Sequence, residues 1–447
     1  MKSAAPEPGA AHEHRPLGAV HVASVVIGAI IGVGIFFTPA TLARALPSPA
    51  WIVLVWVLGG VISVAGALVY AELGGRFPEA GGIYAFLREG YGKRVGRPLA
   101  FLYGWLQLLV IQPGAMAAIA LVLVSNLAVL TGPMSSTLSK LIAVGAIALF
   151  TGANLLGLKT GGRIQVGMAI FKVSALVALI LVGLFRGHAH GVVAARTTSA
   201  PGGLVSWVLL GLVPVLFSFG GAYHGTYIAG SVRDPARSVP RGIMAGISVV
   251  LVAYLAVNVS YLALLSHDGL VATQSPAADA MSLAMGSAAG KVLAAVIVVS
   301  AAGILNTVCL GFPFVVYAMA KDGLFFERAG RLNPKTERPS VAVALQGLMA
   351  CGAVFVGSNA DVLLVGIAFV DAAFQAAVAA VQLVVRKAEA PPGLIRAPLY
   401  ATVVVILFEV GVSLGALVER PVESAYGFGA LVVGIGVYAL WARRRAG

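Results

Sequence analysis

Charge is scarce in this chain: Lys, Arg, Asp and Glu together make up 11% of its 447 residues. A soluble globular chain carries about 25%. Cysteine is scarcer still, and the two present, Cys309 and Cys351, both lie inside apolar runs, which excludes a disulfide framework or a cysteine metal centre. No phosphate-cradling glycine loop, metal-ligand spacing or nucleophile with an adjacent base is visible, so the catalytic classes have nothing to stand on. Polar stretches long enough for a separate soluble domain are also missing; the longest are 75–97, 187–203, 266–284 and 321–338.

What is present is apolar length. With 59% hydrophobic residues and mean hydropathy +0.96, the chain divides into twelve segments of the roughly 20-residue length that crosses a bilayer as a helix. They run approximately 18–45, 50–74, 98–129, 139–157, 165–186, 204–231, 239–265, 285–320, 339–357, 360–386, 397–418 and 424–442. The runs are too long, and alternate too little, for an outer-membrane barrel. The expectation is an all-α polytopic membrane protein of twelve transmembrane helices. Residues 1–17 form a polar tail, and the first apolar stretch lacks a small-residue cleavage site, so no cleaved leader is expected.

Cations set the orientation. Loops on the side of the N-terminus hold 23 Lys and Arg, those on the other side 6. By the positive-inside rule both termini are cytoplasmic, in a cell (inner) membrane. The net charge of +13 then reflects topology and anionic lipid, with no nucleic-acid partner implied. The thirtieth cation, Lys172, lies inside the fifth segment.

Residues 28–36, GAIIGVGIF, place Gly28, Gly32 and Gly34 at the middle of the first segment. Two plain alternatives are a small-residue packing face and a simple kink. A third is a helix opened to bind a ligand with its own backbone. The sixth segment repeats the pattern in FSFGGAYHG, residues 217–225, with Gly220, Gly221 and Gly225. Paired glycine interruptions in corresponding segments point to a transporter site. Irregular backbone at that depth is tolerated where it is buried or lines a cavity. Opening the first helix exposes N–H groups around Val33, Gly34 and Ile35 and carbonyls around Ile30 and Ile31; the second exposes carbonyls near Phe217, Ser218 and Gly220. Neither interruption contains a charged side chain, so donors and acceptors without net charge suit a zwitterion, an α-amino acid.

These motifs are familiar. GAIIGVGIFFTPA (28–40), FPEAGGIYAFLREGYG (77–92), FSFGGAYHGTYIAGSVRDPARSVPR (217–241) and YAMAKDGLFFERAGRLNPKTERPSVA (317–342) resemble, in order and spacing, the amino acid–polyamine–organocation transporter superfamily. The bacterial L-type and antiporter branches are nearest in feel. The resemblance implies a leucine-transporter-type fold: a first inverted repeat at 18–186 (helices 1–5), a second at 204–386 (helices 6–10), and two peripheral helices with a basic tail at 397–447. It also implies alternating-access amino acid transport without a cofactor or metal. Carried over residue by residue, it puts the substrate carboxylate on Val33, Gly34 and Ile35 beside Gly32. It puts the ammonium on carbonyls of Ile30, Phe217, Ser218 and Gly220, next to Gly221, with Phe217 as an aromatic lid.

Three departures set this chain apart from relatives. Gly230-Ser231 stands where some have Glu-Glu, Tyr223 where some antiporters have an acid, and Pro313 where many have Arg.

Lys172 sits nine residues from Arg163, about 13 Å along the helix, which strains a snorkelling explanation. The resemblance implies that its ammonium takes the place of sodium. Tyr223, His224 and Asn306 are further pocket or relay candidates. Asp371 and Glu409 are intramembrane carboxylates, the latter in a peripheral helix where a structural or oligomer contact is expected. Glu72 is a gate partner or an interfacial anchor. Small residues at Gly220, Gly221 and Ala222, without a charge, favour a neutral amino acid, while Gln107, Gln112 and Asn306 are walls that would modify the preference.

The reading is a sodium-independent amino acid transporter, an exchanger or proton-coupled symporter, acting as monomer or homodimer. Its rivals are an amine, polyamine or cationic amino acid antiporter, which should supply a carboxylate near Tyr223, and a non-transporting receptor or structural homologue. A channel would require a continuous polar pore.

Overall fold

The computed structural model describes residues 15–32, 34–188, 203–356, 360–389, 391–419 and 421–446. Among the described residues the chain is helical, apart from one parallel bridge between Leu17 and Val232. The first segment is two helices, α1 (Ala19–Ile30) and α2 (Gly34–Ala45), bent by 45°. Then come α3 (Pro49–Arg76), the short α4 (Ile83–Gly90), α5 (Arg97–Leu106), α6 (Gln112–Thr131), α7 (Ser136–Leu155) and α8 (Leu158–Arg186). The second half has α9 (Leu204–Ser218), a single turn α10 (His224–Tyr227), α11 (Pro235–Ala272), α12 (Pro276–Met285), α13 (Ala289–Gly311) and α14 (Pro313–Lys321). It closes with α15 (Ser340–Val356), α16 (Ala360–Val385), α17 (Leu399–Glu419) and α18 (Pro421–Ala446).

Seven described helical stretches are long and apolar enough to cross a membrane, and the bent α1–α2 pair makes an eighth. In the remaining expected segments the described apolar stretches are shorter, Ser340–Val356, Phe369–Val385 within α16 and Gly427–Trp441 within α18, and the expected 204–231 breaks after Ser218.

Small residues let the central helices approach, as they must where lipid supplies no hydrophobic drive. A Cβ at Gly242 would lie 2.5 Å from Val22 Cβ, and one at Gly246 2.8 Å from Val26 Cβ, so this pair on α11 seats α1. Trp56, fully buried on α3, meets Phe219 at 5.7 Å and Tyr254 at 5.6 Å between ring centres.

Prolines cause two of the irregularities. Pro113 cannot donate to Leu109, and the turn before it widens into the π-helix Gln107–Ile111, with Gln112 N donating to Gln107 O. Pro313 likewise leaves the Cys309 carbonyl without its usual donor. The fully buried Arg338 replaces it: Nη2 donates to Cys309 O at 2.6 Å and Nη1 to Leu310 O at 2.8 Å, with the guanidinium 5.3 Å from the Phe314 ring centre. A guanidinium thus does serve this stretch of the eighth segment, from the next loop. Arg338→Met should strand both carbonyls, at about 1–3 kcal/mol each. A fall of roughly 5 °C or more in the thermal midpoint is expected; an unchanged midpoint would mean the carbonyls find other donors.

Candidate functional site

The first interruption is a true break. Ile31, just past α1, has extended backbone (φ −70, ψ 95), and α2 restarts at Gly34. Val33 lies outside the described residues. Unwinding frees carbonyls, and neighbouring helices take three of them. Lys172 Nζ on α8 donates to Gly28 O at 2.8 Å and Ile31 O at 2.7 Å. Ser300 Oγ on α13 also reaches Ile31 O, at 3.2 Å, and Tyr254 Oη on α11 donates to Ile30 O at 2.9 Å. One lone pair of Ile30, named as an ammonium acceptor, is therefore already occupied by the protein.

Lys172 is 1% exposed. It does not snorkel; its ammonium straps the broken helix to α8. Gly303 on α13 leaves it room, since a Cβ there would sit 2.9 Å from Lys172 Cε. Gly28 is a close-approach glycine, its would-be Cβ 1.8 Å from Gln165 Nε2. For Gly28 the packing explanation is the right one, and it coexists with the break. Gly32 has mainly Ile304 Cδ1 nearby, at 3.1 Å, and Ile35 is fully buried.

The second interruption spans Phe219–Tyr223. Gly221 has φ +119, a conformation that favours glycine, and a Cβ there would also meet Ala29 Cβ at 3.0 Å. Phe217 O accepts from Gly220 N at 3.1 Å, so this carbonyl too is partly used. Beyond the break lies the one turn α10 and a 3-10 turn Ala229–Ser231, where a second half-helix was expected. Ser218 joins the two breaks: its Oγ lies 3.0 Å from Thr38 Oγ1 and donates to Pro214 O at 2.9 Å. Phe217, expected as a lid, is 76% exposed, on the same face of α9 as Leu210 and Val213; as placed it covers no site.

The other candidates separate. Asn306 is fully buried and bonds Gly161 O, Gln165 Oε1 and Asn154 Nδ2, while Gln165 Nε2 donates to Ser24 O at 3.0 Å. It bridges helices and lines no cavity described here. Tyr223 and His224 stack at 4.6 Å, and Tyr223 turns toward Tyr70 on α3, at 5.8 Å between ring centres. Gln107 and Gln112 form a chain to α16: Gln112 Nε2 donates to Gln107 Oε1, and Gln107 Nε2 to Asp371 Oδ1, both at 2.8 Å. Glu72, 1% exposed, accepts from Ala397 N at 2.8 Å and Gln382 Nε2 at 3.1 Å, and so acts as an anchor. Tyr254, Ser300 and Gln165 were missed; the available signal was a hydrogen-bonding side chain in the middle of an apolar segment.

The end of the bundle that carries Leu17 is tied shut. Leu17 N donates to Ser231 O at 3.2 Å and Arg233 N to Leu17 O at 2.9 Å. Arg88 on α4 donates to both carboxylate oxygens of Asp322, at 3.0 and 2.8 Å, and Tyr84 Oη to Asp322 Oδ2 at 2.7 Å. Burial and then the Asp322 charge push the Tyr84 hydroxyl well above its ordinary value, so it stays a donor. Deeper in, the Tyr103 and Tyr227 hydroxyls meet at 2.5 Å.

Known proteins resemble this chain in sequence. A family model described as amino acid permease matches residues 17–438. The serine/threonine exchanger SteT of Bacillus subtilis (strain 168) is 30% identical over 339 residues, 75% of each chain. The large neutral amino acids transporter small subunit 2 of Mus musculus is 26% identical over 441 residues, 95% of this chain and 81% of that protein. The b(0,+)-type amino acid transporter 1 of Oryctolagus cuniculus is 27% identical over 353 residues, 77% and 70% respectively.

Proposed function

The chain belongs to the amino acid permease family, and from that premise we propose that it is a sodium-independent carrier of neutral amino acids working by alternating access. It is a multi-pass membrane protein and a transporter, not an enzyme. The finer architecture we propose is twelve spans in two inverted repeats of five plus two peripheral helices, with both termini cytoplasmic. The paired breaks in the first and sixth segments and the excess of cations in alternate loops support it.

The observation that carries the function is Lys172. Its Nζ, 2.7–2.8 Å from the carbonyls of Ile31 and Gly28, fills the place under the first break where a cation would sit, so no sodium ion is required there. The substrate carboxylate meets the start of α2 at Val33, Gly34 and Ile35, where the helix dipole favours an anion. The ammonium meets carbonyls of the second break, chiefly Ser218 and Gly220, with one lone pair each remaining on Ile30 and Phe217. Gly220, Gly221 and Ala222 keep the neighbouring space free of charge and bulk, which suits a neutral side chain. Phe217, exposed beside this break, swings over the substrate when the outer halves α2 and α9 close. The serine/threonine exchanger and the large neutral amino acid transporter among its relatives support a neutral substrate.

Counterflow in sodium-free proteoliposomes, loaded in turn with single amino acids and supplied with the labelled counterpart, tests this. Accumulation with a few neutral amino acids, unchanged by sodium, is expected. Accumulation only with cationic amino acids or amines, or only with sodium, overturns the reading.

A further inference from the structure

Glu409, assigned from sequence to a peripheral contact, lies elsewhere in function. It lines a cavity of about 90 Å³, together with Tyr70, Gly220, Gly221, Tyr223 and Phe408. The cavity therefore joins α3 and α17 directly to the backbone of the second break.

From this geometry we infer that Glu409 is a proton-binding site whose occupancy is coupled to closure of that break, so that a proton travels with the substrate. The inference rests on the transport reading above and names its driving ion.

Every group around Glu409 fits a neutral proton site better than a fixed ion pair. Tyr70 from α3, Tyr223 from the break and Asp371 from α16 are the titratable groups facing it, and α18 adds none among the described residues. No described Lys or Arg stands within ion-pair distance of Glu409 or Asp371. Tyr70 Oη donates to Gln375 Oε1 at 2.8 Å. Gln375 is only 3% exposed, and its side-chain amide reaches the Asp371 carboxylate. Beyond it, Asp371 accepts from Gln107 at 2.8 Å. Tyr70, which lines the cavity with Glu409, thus leads through Gln375 to Asp371 on α16. Intramembrane carboxylates that face a cavity are the usual parts of proton relays.

The step is simple. A proton delivered from the bulk solution joins a Glu409 carboxylate oxygen and gives the neutral acid. The break then closes over substrate with one buried charge fewer. On reopening at the other face, the O–H proton passes to water and the carboxylate returns. One proton enters and one leaves per cycle, with no other bond changed. Tyr223, packed on Tyr70 at 5.8 Å, transmits the charge state to the break.

The test uses the intact chain in proteoliposomes with a trapped pH dye and a substrate identified by counterflow. The wild type is expected to acidify the lumen as substrate enters, and to accumulate substrate about tenfold per pH unit of imposed gradient. Glu409→Gln, which imitates the protonated acid, should keep counterflow within about twofold while losing both the proton signal and the gradient response. Independently, dicyclohexylcarbodiimide should modify Glu409, mapped by mass spectrometry, more as pH falls. Wild-type counterflow without proton movement overturns the inference and leaves the transport reading standing, as does proton movement that survives in Glu409→Gln. Absence of wild-type counterflow overturns both.

Discussion

Lys172→Ala is expected to reduce uptake at least 100-fold while leaving a folded, monodisperse protein. The ammonium donates to the Gly28 carbonyl and, with Ser300 Oγ, is one of two donors to the Ile31 carbonyl. Hydrogen bonds from a charged group contribute about 1.5–3 kcal/mol each. Losing two of them removes some 3 kcal/mol or more from the geometry in which the break is held open, and 1.4 kcal/mol is a factor of ten. Ser300 continues to serve Ile31, but the Gly28 carbonyl is left bare at the end of α1. Sodium should not restore the rate. The vacated place offers the oxygens of Gly28, Ile31 and Ser300, whereas hard cations take about six. Lys172→Arg should fail as well, because Gly303 already stands where a Cβ would be 2.9 Å from Lys172 Cε and the wider guanidinium has no room. Uptake with and without sodium, alongside size-exclusion and thermal-unfolding profiles, separates the outcomes. A Lys172→Ala protein with normal kinetics would make the strap purely structural.

That strap also marks where sequence reasoning reaches its end. A lysine in the middle of an apolar segment announces itself through its cost, and the glycines of both breaks through their place in the segments. Its partners do not announce themselves. Tyr254 and Ser300 come from helices more than 200 residues downstream of the carbonyls they serve, and one hydroxyl in an apolar run looks like any other. The neighbours of the glycines were not legible either: Gly28 makes room for Gln165 and Gly34 faces Ser218. Nor does the sequence pair Pro313 with Arg338, which donates to the carbonyl that the proline orphans. The expected interruption of the sixth segment is there, the helix stopping at Ser218, but a single turn resumes beyond it where a half-helix was expected. Apolar composition records burial in lipid and does not record how much helix follows a break.

Gly34→Val is expected to abolish substrate binding, with a loss of at least about 30-fold in apparent affinity, without unfolding the protein. Gly34 opens α2, and a Cβ there would lie 2.8 Å from Ser218 Oγ, 3.3 Å from Ser218 Cβ and 3.4 Å from Ser218 Cα. Ser218 cannot simply rotate away, because its hydroxyl is held by Thr38 at 3.0 Å and Pro214 O at 2.9 Å. A β-branched side chain must therefore push the two breaks apart, at about 1–3 kcal/mol for overpacking of this kind. It also adds methyls over the N–H groups that are to receive the carboxylate. Gly34→Ala should give an intermediate loss, since only one close contact has to be relieved. The diagnostic variant is the pair Gly34→Ala with Ser218→Gly. If the loss comes from steric separation of the breaks, removing the Ser218 side chain should restore a measurable part of it, and the two changes should couple by more than about 0.5 kcal/mol. Additive effects would place Gly34 away from Ser218 in the working protein. Normal binding by Gly34→Val would mean that the start of α2 does not hold the substrate.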